Sequence, residues 1–190
     1  MRTDLRLLAL IAILLFPVCL SAQNRFSLKV GGGIAVYGSD DENSGDKIGH
    51  SLVTEFTYSV TNWFSAGLNV HTGMCNTGNE HHVSETGASL RGLFRPFPKK
   101  FRFLELGVGL TGMYRVYNTN YNVYEQEHLT CYYNGNQSYG AVGIDFPVRL
   151  YAIDSQRFQL MFYYDFKTLF NSGAYYLSNS NGGAMFGIKF

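Results

Sequence analysis

The sequence predicts an all-β protein, an eight-stranded antiparallel up-and-down transmembrane β-barrel. Three observations point there. Eight segments of strand length alternate between two kinds of residue, and the connections between them alternate between short and long. One strand face is charge-free and bulky, while the other is small or charged. Glycine is abundant at 21 residues, aromatics make up 16%, and there are only four prolines, a composition that suits strands and turns.

The first 22 residues are of a different character. Arg2 and Arg6 precede the apolar run Leu7–Phe16, and small residues Ser21 and Ala22 follow, which together read as a signal peptide over residues 1–22. The run is too short for a spanning helix, which needs about 20 residues. Lipidation at Cys19 is the alternative, but Pro17 and Val18 make a poor approach to it. Residues 23–190 form the barrel domain. Removing Arg2, Arg6 and Asp4 leaves thirteen charges of each sign, a neutral chain without the basic excess of a nucleic-acid binder. No cofactor is expected, and a monomer is.

The eight segments are 25–37, 51–60, 63–74, 83–95, 103–117, 139–151, 157–170 and 183–190. Each is near the 9–11 residues that a tilted strand needs to cross a bilayer. Thr61-Asn62, residues 96–100 and residues 152–156 are short connections. The stretches after Tyr37, Met74, Tyr117 and Phe170 are longer and rich in Asn, Gly and Ser, so the long loops gather at one end. Aromatics cluster at both sets of strand ends, with Tyr58, Trp63, Phe64 and Phe94 near the turns and Tyr37, Tyr114 and Phe170 near the loops. Two girdles of this kind suit two interfaces. Pro147 inside the sixth segment demands a bulge or a gap in pairing.

Fourteen charged residues lie within these segments, and all are odd-numbered. Alternation alone does not say which face is inside; volume does. The interior of an eight-stranded barrel holds only its own side chains. The odd face is rich in Gly31, Gly33, Gly87, Gly107, Gly109 and Gly183, with room for charges to pair. The even face carries Leu28, Phe56, Leu68, Leu106, Phe146 and Phe162, bulk that overfills a narrow lumen and suits lipid.

A lumen charge network is therefore expected from Lys29, Glu55, Glu85, Arg91, Arg95, Glu105, Arg115, Asp145, Arg149, Asp165 and Lys167. Its first reading is a paired polar plug, because burial demands pairing; a gated pore or proton path is the second. The loop 118–137, with Tyr121, Tyr124, Tyr132 and Tyr133 among asparagines, reads as a recognition surface, or equally as aromatics packing on the rim. Export into an oxidising compartment and neighbouring long loops predict a disulfide between Cys75 and Cys131, with two free thiols as the alternative. Glu80, His81, His82 and His128 include imidazoles but lack metal-ligand spacing, and no metal is expected. For catalysis, His50-Ser51 and His71-Thr72 are the His–hydroxyl neighbours, and no spacing links either to an acid. A non-enzymatic barrel is the first reading, with loops for recognition, adhesion or envelope structure. A lipid-modifying enzyme or narrow pore is the alternative.

These marks, with the closing Phe186-Gly187-Ile188-Lys189-Phe190, resemble the small outer-membrane β-barrels of the OmpA/OmpX-like or PorT-like kind. The likeness covers residues 23–190. It implies a bacterial outer-membrane location, contact with outer-membrane lipids, and recognition by the barrel-assembly machinery through the final strand ending in Phe190. It names an architecture, not an activity or an extracellular ligand.

Overall fold

A computed structural model of the chain describes residues 25–38, 47–78, 81–98, 102–125, 128–170 and 177–190. The signal segment therefore lies outside the described residues. Eight strands follow one another: β1 (Phe26–Gly38), β2 (Lys47–Ser59), β3 (Phe64–Gly78), β4 (His81–Phe94), β5 (Leu104–Glu125), β6 (His128–Asp154), β7 (Phe158–Leu169) and β8 (Leu177–Lys189). Each pairs antiparallel with its neighbour in sequence, and β1 pairs with β8 to close the barrel. No free sheet edge is left along the closed wall, the condition for a sheet to survive in lipid.

The seam between β1 and β8 explains two glycines. Gly33 stands opposite Gly183. A Cβ on Gly33 would collide with the Gly182 carbonyl and the Gly183 Cα, and one on Gly183 with the Gly32 carbonyl and the Gly33 Cα. Closure at this point needs two residues without side chains.

Strand parity assigns the faces. Among the described residues, buried side chains on the strands are odd-numbered with the exception of Ser180, which follows a register shift opposite Val36/Tyr37. Even-numbered Leu28, Val30, Leu52, Leu90, Leu106, Leu110, Phe162 and Phe186 are exposed on the outside. The exposed odd-numbered hydrophobics among the described residues (Trp63, Phe97, Phe103 and Ile153) all sit at the short turns. An apolar outer wall around a polar interior is the reverse of a water-soluble barrel, and it is the surface lipid requires.

Three features depart from the sequence reading. The segment 118–137 is not an irregular loop: β5 and β6 continue as a two-stranded ribbon to Glu125 opposite His128. From Asn118, where pairing with β4 ends, this ribbon rises roughly 24 Å at ~3.4 Å per residue. Tyr37 is no girdle residue, because it is fully buried in the lumen. The β6 strand also carries a register shift between Tyr151 and Ile153, which turns even-numbered Asp154 inward.

Pro147 has a visible accommodation. The β5–β6 ladder runs from Leu106–Val148 to Gly109–Asp145 and skips the two pairs between them. Gly107 faces the gap, and a Cβ there would lie 2.7 Å from both Pro147 Cγ and Leu93 Cδ2. The proline costs a ladder bond, and the glycine opposite makes room for its ring.

The turn end carries its aromatic belt. Phe26 stacks on Phe56 with centroids 5.5 Å apart, Trp63 on Phe94 at 6.2 Å, and Phe158 on Phe186 at 5.9 Å.

Candidate functional site

The lumen is where the fold concentrates chemistry. Among the described residues it holds three clusters of charged side chains, stacked from the turn end to the loop end.

The central cluster joins five strands. Glu55 on β2 accepts from Lys29 Nζ at 2.9 Å, from Arg91 Nη1 at 3.0 Å and from Arg149 Nη2 at 2.9 Å. Asp165 on β7 accepts from Arg91 Nη2 at 2.9 Å and Arg149 Nη1 at 2.5 Å. Asp145 on β6 accepts from Arg91 Nε at 2.6 Å. Three carboxylates thus meet three cations, and all six side chains are buried. Two guanidinium forks held between two carboxylates match the planar geometry that arginine offers and lysine does not. Gly109 makes the space: a Cβ there would collide with Asp145 Oδ1. Ion pairs of this kind are costly to form and more costly to break singly, so they specify an arrangement more than they stabilise it.

The loop-end cluster centres on Glu85 of β4. Arg115 Nη2 donates to its Oε2, and Lys167 Nζ lies 3.7 Å from its Oε1. Lys167 Nζ also lies 2.8 Å from His71 Nε2. The same His71 nitrogen lies 3.3 Å from Glu85 Oε1, so histidine, lysine and glutamate meet at one point. Arg115 stands 5.9 Å over the Tyr37 ring.

At the turn end, Arg95 Nε donates to Glu105 Oε2 at 3.1 Å and Nη1 to Asp154 Oδ2 at 2.7 Å. Tyr151 donates its hydroxyl to Glu105 at 3.0 Å, and the Arg95 cation sits 4.6 Å over the Tyr151 ring. Lys189 Nζ donates to Asp154 and to the Ser155 carbonyl, and Gln159 Nε2 donates to Asp154 Oδ1 at 3.0 Å.

All eleven charged positions singled out in the sequence fall in these clusters. His71 and Asp154 were missed, and Lys189, though on the charged face, was left out of the network. The first needed the register that sets β3 beside β4, and the second needed the bulge that reverses parity. Between the charges lies apolar filling that the charge pattern did not disclose: Val53, Tyr151, Met161, Tyr163 and Met185 pack together.

The cysteine pairing is corrected. Cys75 is a free thiol buried among Ala35, Tyr37 and Val83. It stands opposite Val83, which faces Tyr117, which faces Gln137. Cys131 lies six residues beyond Gln137, opposite Val123, roughly 20 Å further out at ~3.3 Å per residue. A bridge needs Cα atoms within ~4.4–6.8 Å. The loop reading failed because Cys131 belongs to a paired strand, six residues along β6 from the position level with Cys75.

The other candidates are placed as follows. In each His–hydroxyl pair the neighbours point to opposite faces: His50 is exposed and Ser51 buried, His71 buried and Thr72 exposed. His82 is exposed, while Glu80 and the side chains of His81 and His128 lie outside the described residues. Among the described residues no group of three or more His, Cys, Asp or Glu is placed to hold a metal. Tyr121, Tyr124, Tyr132 and Tyr133 stand on the ribbon; their side chains lie outside the described residues.

No family model and no curated protein matches the sequence. Among solved structures, the chain is similar to Neisserial surface protein A, NspA, with a TM-score of 0.54 and 12% identity over 87% of this chain and 97% of that one. Weaker likenesses are to Ail, the attachment invasion locus protein of Yersinia pestis (TM-score 0.49, 12% identity, 86% of this chain and 95% of that one), and to a major outer membrane protein from Thermus thermophilus (0.48, 13%, 87% and 98%). Identities this low speak to architecture alone. The likeness to NspA, the closed eight-strand wall and its apolar exterior lead to one conclusion: the chain has the fold of the small outer-membrane β-barrels.

Proposed function

We propose that this chain is an exported, non-enzymatic protein of a bacterial outer membrane. Its lumen is a closed structural plug, and its long loops, the β5–β6 ribbon foremost, serve recognition, adhesion or envelope structure at the surface. The observation that carries this reading is the central cluster. Glu55, Arg91, Arg149 and Asp165 meet across the middle of the lumen with every charge buried and paired. A pore needs a hydrated path past these groups, and an eight-stranded barrel leaves little width for one. The fold shared with NspA supports the outer-membrane location. The signal segment 1–22 supports export, and the final strand ending in Phe190 supports delivery to the barrel-assembly machinery. Separation of the two members of each His–hydroxyl pair favours a non-enzymatic role over lipid modification.

Planar-bilayer recording of the refolded chain tests the plug. The expected trace shows no stable open-channel steps. Reproducible ohmic steps, enlarged by loss of Arg91 or Arg149, would replace the plug with a pore. Lipid A mass spectra from cells with and without the protein should be identical, and a change in acylation would favour the enzyme.

A further inference from the structure

The turn end of the lumen opens into a cavity of about 690 Å³, lined by residues of β1–β3, the turns and the turn-end cluster. That is within the ~300–1,000 Å³ typical of small-molecule sites. Lys29, Glu105 and Tyr151 line it towards the barrel centre, and Lys29 joins Glu55 and the rest of the central cluster behind it, so the cavity is a blind vestibule rather than the mouth of a path.

Its charge is unbalanced in a specific way. Five cationic residues line it (Arg25, Lys29, Arg95, Arg102 and Lys189) against two carboxylates, Glu105 and Asp154. Lys29 is matched by Glu55, deeper in the lumen. Arg95 and Lys189 are matched by Glu105 and Asp154. Arg25 and Arg102 remain, and among the described residues neither has a carboxylate partner; Arg102 Nε donates to the Pro98 carbonyl at 3.2 Å. The vestibule therefore keeps an excess of two guanidinium charges. A phosphate monoester carries about −1.5 to −2 charges at neutral pH and offers three acceptor oxygens, which matches this excess in sign and size.

The wall formed by β1, β2 and β3 supplies hydroxyl donors. Ser27, Thr57, Ser59 and Ser65 line it, and Ser59 Oγ accepts from Ser65 Oγ at 3.4 Å, leaving its own proton to donate. Arg25 stands on this same wall, its carbonyl accepting from the Ser59 N–H at 2.8 Å, while Arg102 stands in the connection between β4 and β5; a guanidinium from each of two sides joins the hydroxyls in a donor set for a tetrahedral oxyanion. Low-dielectric walls focus the field of the two unpaired cations into the cavity.

We propose that this vestibule is a binding site for a phosphate group, carried by a phospholipid headgroup of the adjacent leaflet or by a small soluble phosphate ester. Arg25 and Arg102 receive the charge, and Ser59 donates from beside Arg25.

The chain carries its own probe, because its single tryptophan, Trp63, lines the same cavity. The refolded chain 23–190 in neutral detergent is titrated with inorganic phosphate, glycerol 3-phosphate and dihexanoyl phosphatidic acid, with sodium chloride at matched ionic strength as control. A saturable change in Trp63 fluorescence with a phosphate probe, absent with chloride, is expected. The half-saturating concentration should rise about tenfold or more in the R25A/R102A variant. Both residues are exposed, so the folded species on an unheated gel should persist; the single variant R102Q gives the same reading if it does not. Saturation by glycerol 3-phosphate supports a soluble ester, and saturation by phosphatidic acid alone supports the headgroup. No saturable change, the same change with chloride, or an unmoved half-saturation in the variants overturns the site.

Discussion

Arg149 on β6 reaches across the lumen to Glu55 on β2, its Nη2 donating to Oε2 at 2.9 Å, while its Nη1 holds Asp165 of β7 at 2.5 Å. One side chain thus ties together three strands, two of them far apart in sequence. Removing it leaves three buried carboxylates facing two cations, with Arg91 the remaining partner of Asp165 and Lys29 and Arg91 those of Glu55. R149A is expected to cost about 3–5 kcal/mol, the usual consequence of breaking one side of a buried pair. Urea unfolding of the vesicle-embedded protein measures it, and an unchanged midpoint would show that the pairs are not formed as described.

Glycines divide by place in the wall. At Gly183 a Cβ would strike the Gly32 carbonyl across the seam, whereas at Gly112 it meets nothing within 4 Å. G183A should destabilise the barrel by about 1–3 kcal/mol through forced backbone shifts, and G112A should be neutral. Heat-dependent gel mobility of the two variants compares them, and equal behaviour would contradict the closure geometry.

Much of this fold was legible because a period of two survives noise. Fourteen charges on odd positions marked the inner face before any partner was known, and the volume of residues such as Phe56 and Phe162 marked the outer one. The pattern failed where the ladder itself is irregular. Asp154 sits past a register shift and therefore points inward from an even position. Asparagine-rich 118–137 looked like a loop because its residues are poor strand formers, yet cross-strand pairing extends the ribbon through it. Tyr37 looked interfacial because tyrosines often are, but its hydroxyl and ring lie beside Gly73 and Arg115 inside the lumen. Which charges pair with which was never readable, since register between strands far apart in sequence is set by the closed barrel.

Cys75 and Cys131 should both be thiols whether or not a reductant is present. Alkylation of the unreduced, denatured chain 23–190 is expected to modify two thiols per molecule. In the folded protein Cys75, 4% exposed, should react slowly. Recovery of no reactive thiols would restore the bridge and overturn the register of the ribbon.

Arginine placed on the outer wall should be costly in proportion to depth. L106R, V108R or F162R is expected to destabilise by about 2–4 kcal/mol near the midplane of the bilayer. Folding into vesicles at several urea concentrations gives the value, and a negligible cost would mean that the even face does not meet lipid.

The central claim is that the even-numbered wall faces hydrocarbon while the odd-numbered one is sealed inside. Single cysteines at positions 160 to 164 of β7, in a background lacking Cys75 and Cys131, test it with a lipid-soluble maleimide on the vesicle-embedded protein. Leu160, Phe162 and Tyr164 are exposed, and Met161 and Tyr163 buried. Strong labelling at 160, 162 and 164 with little at 161 and 163 is the expected result. Equal labelling of all five, or labelling of the odd positions alone, would contradict it.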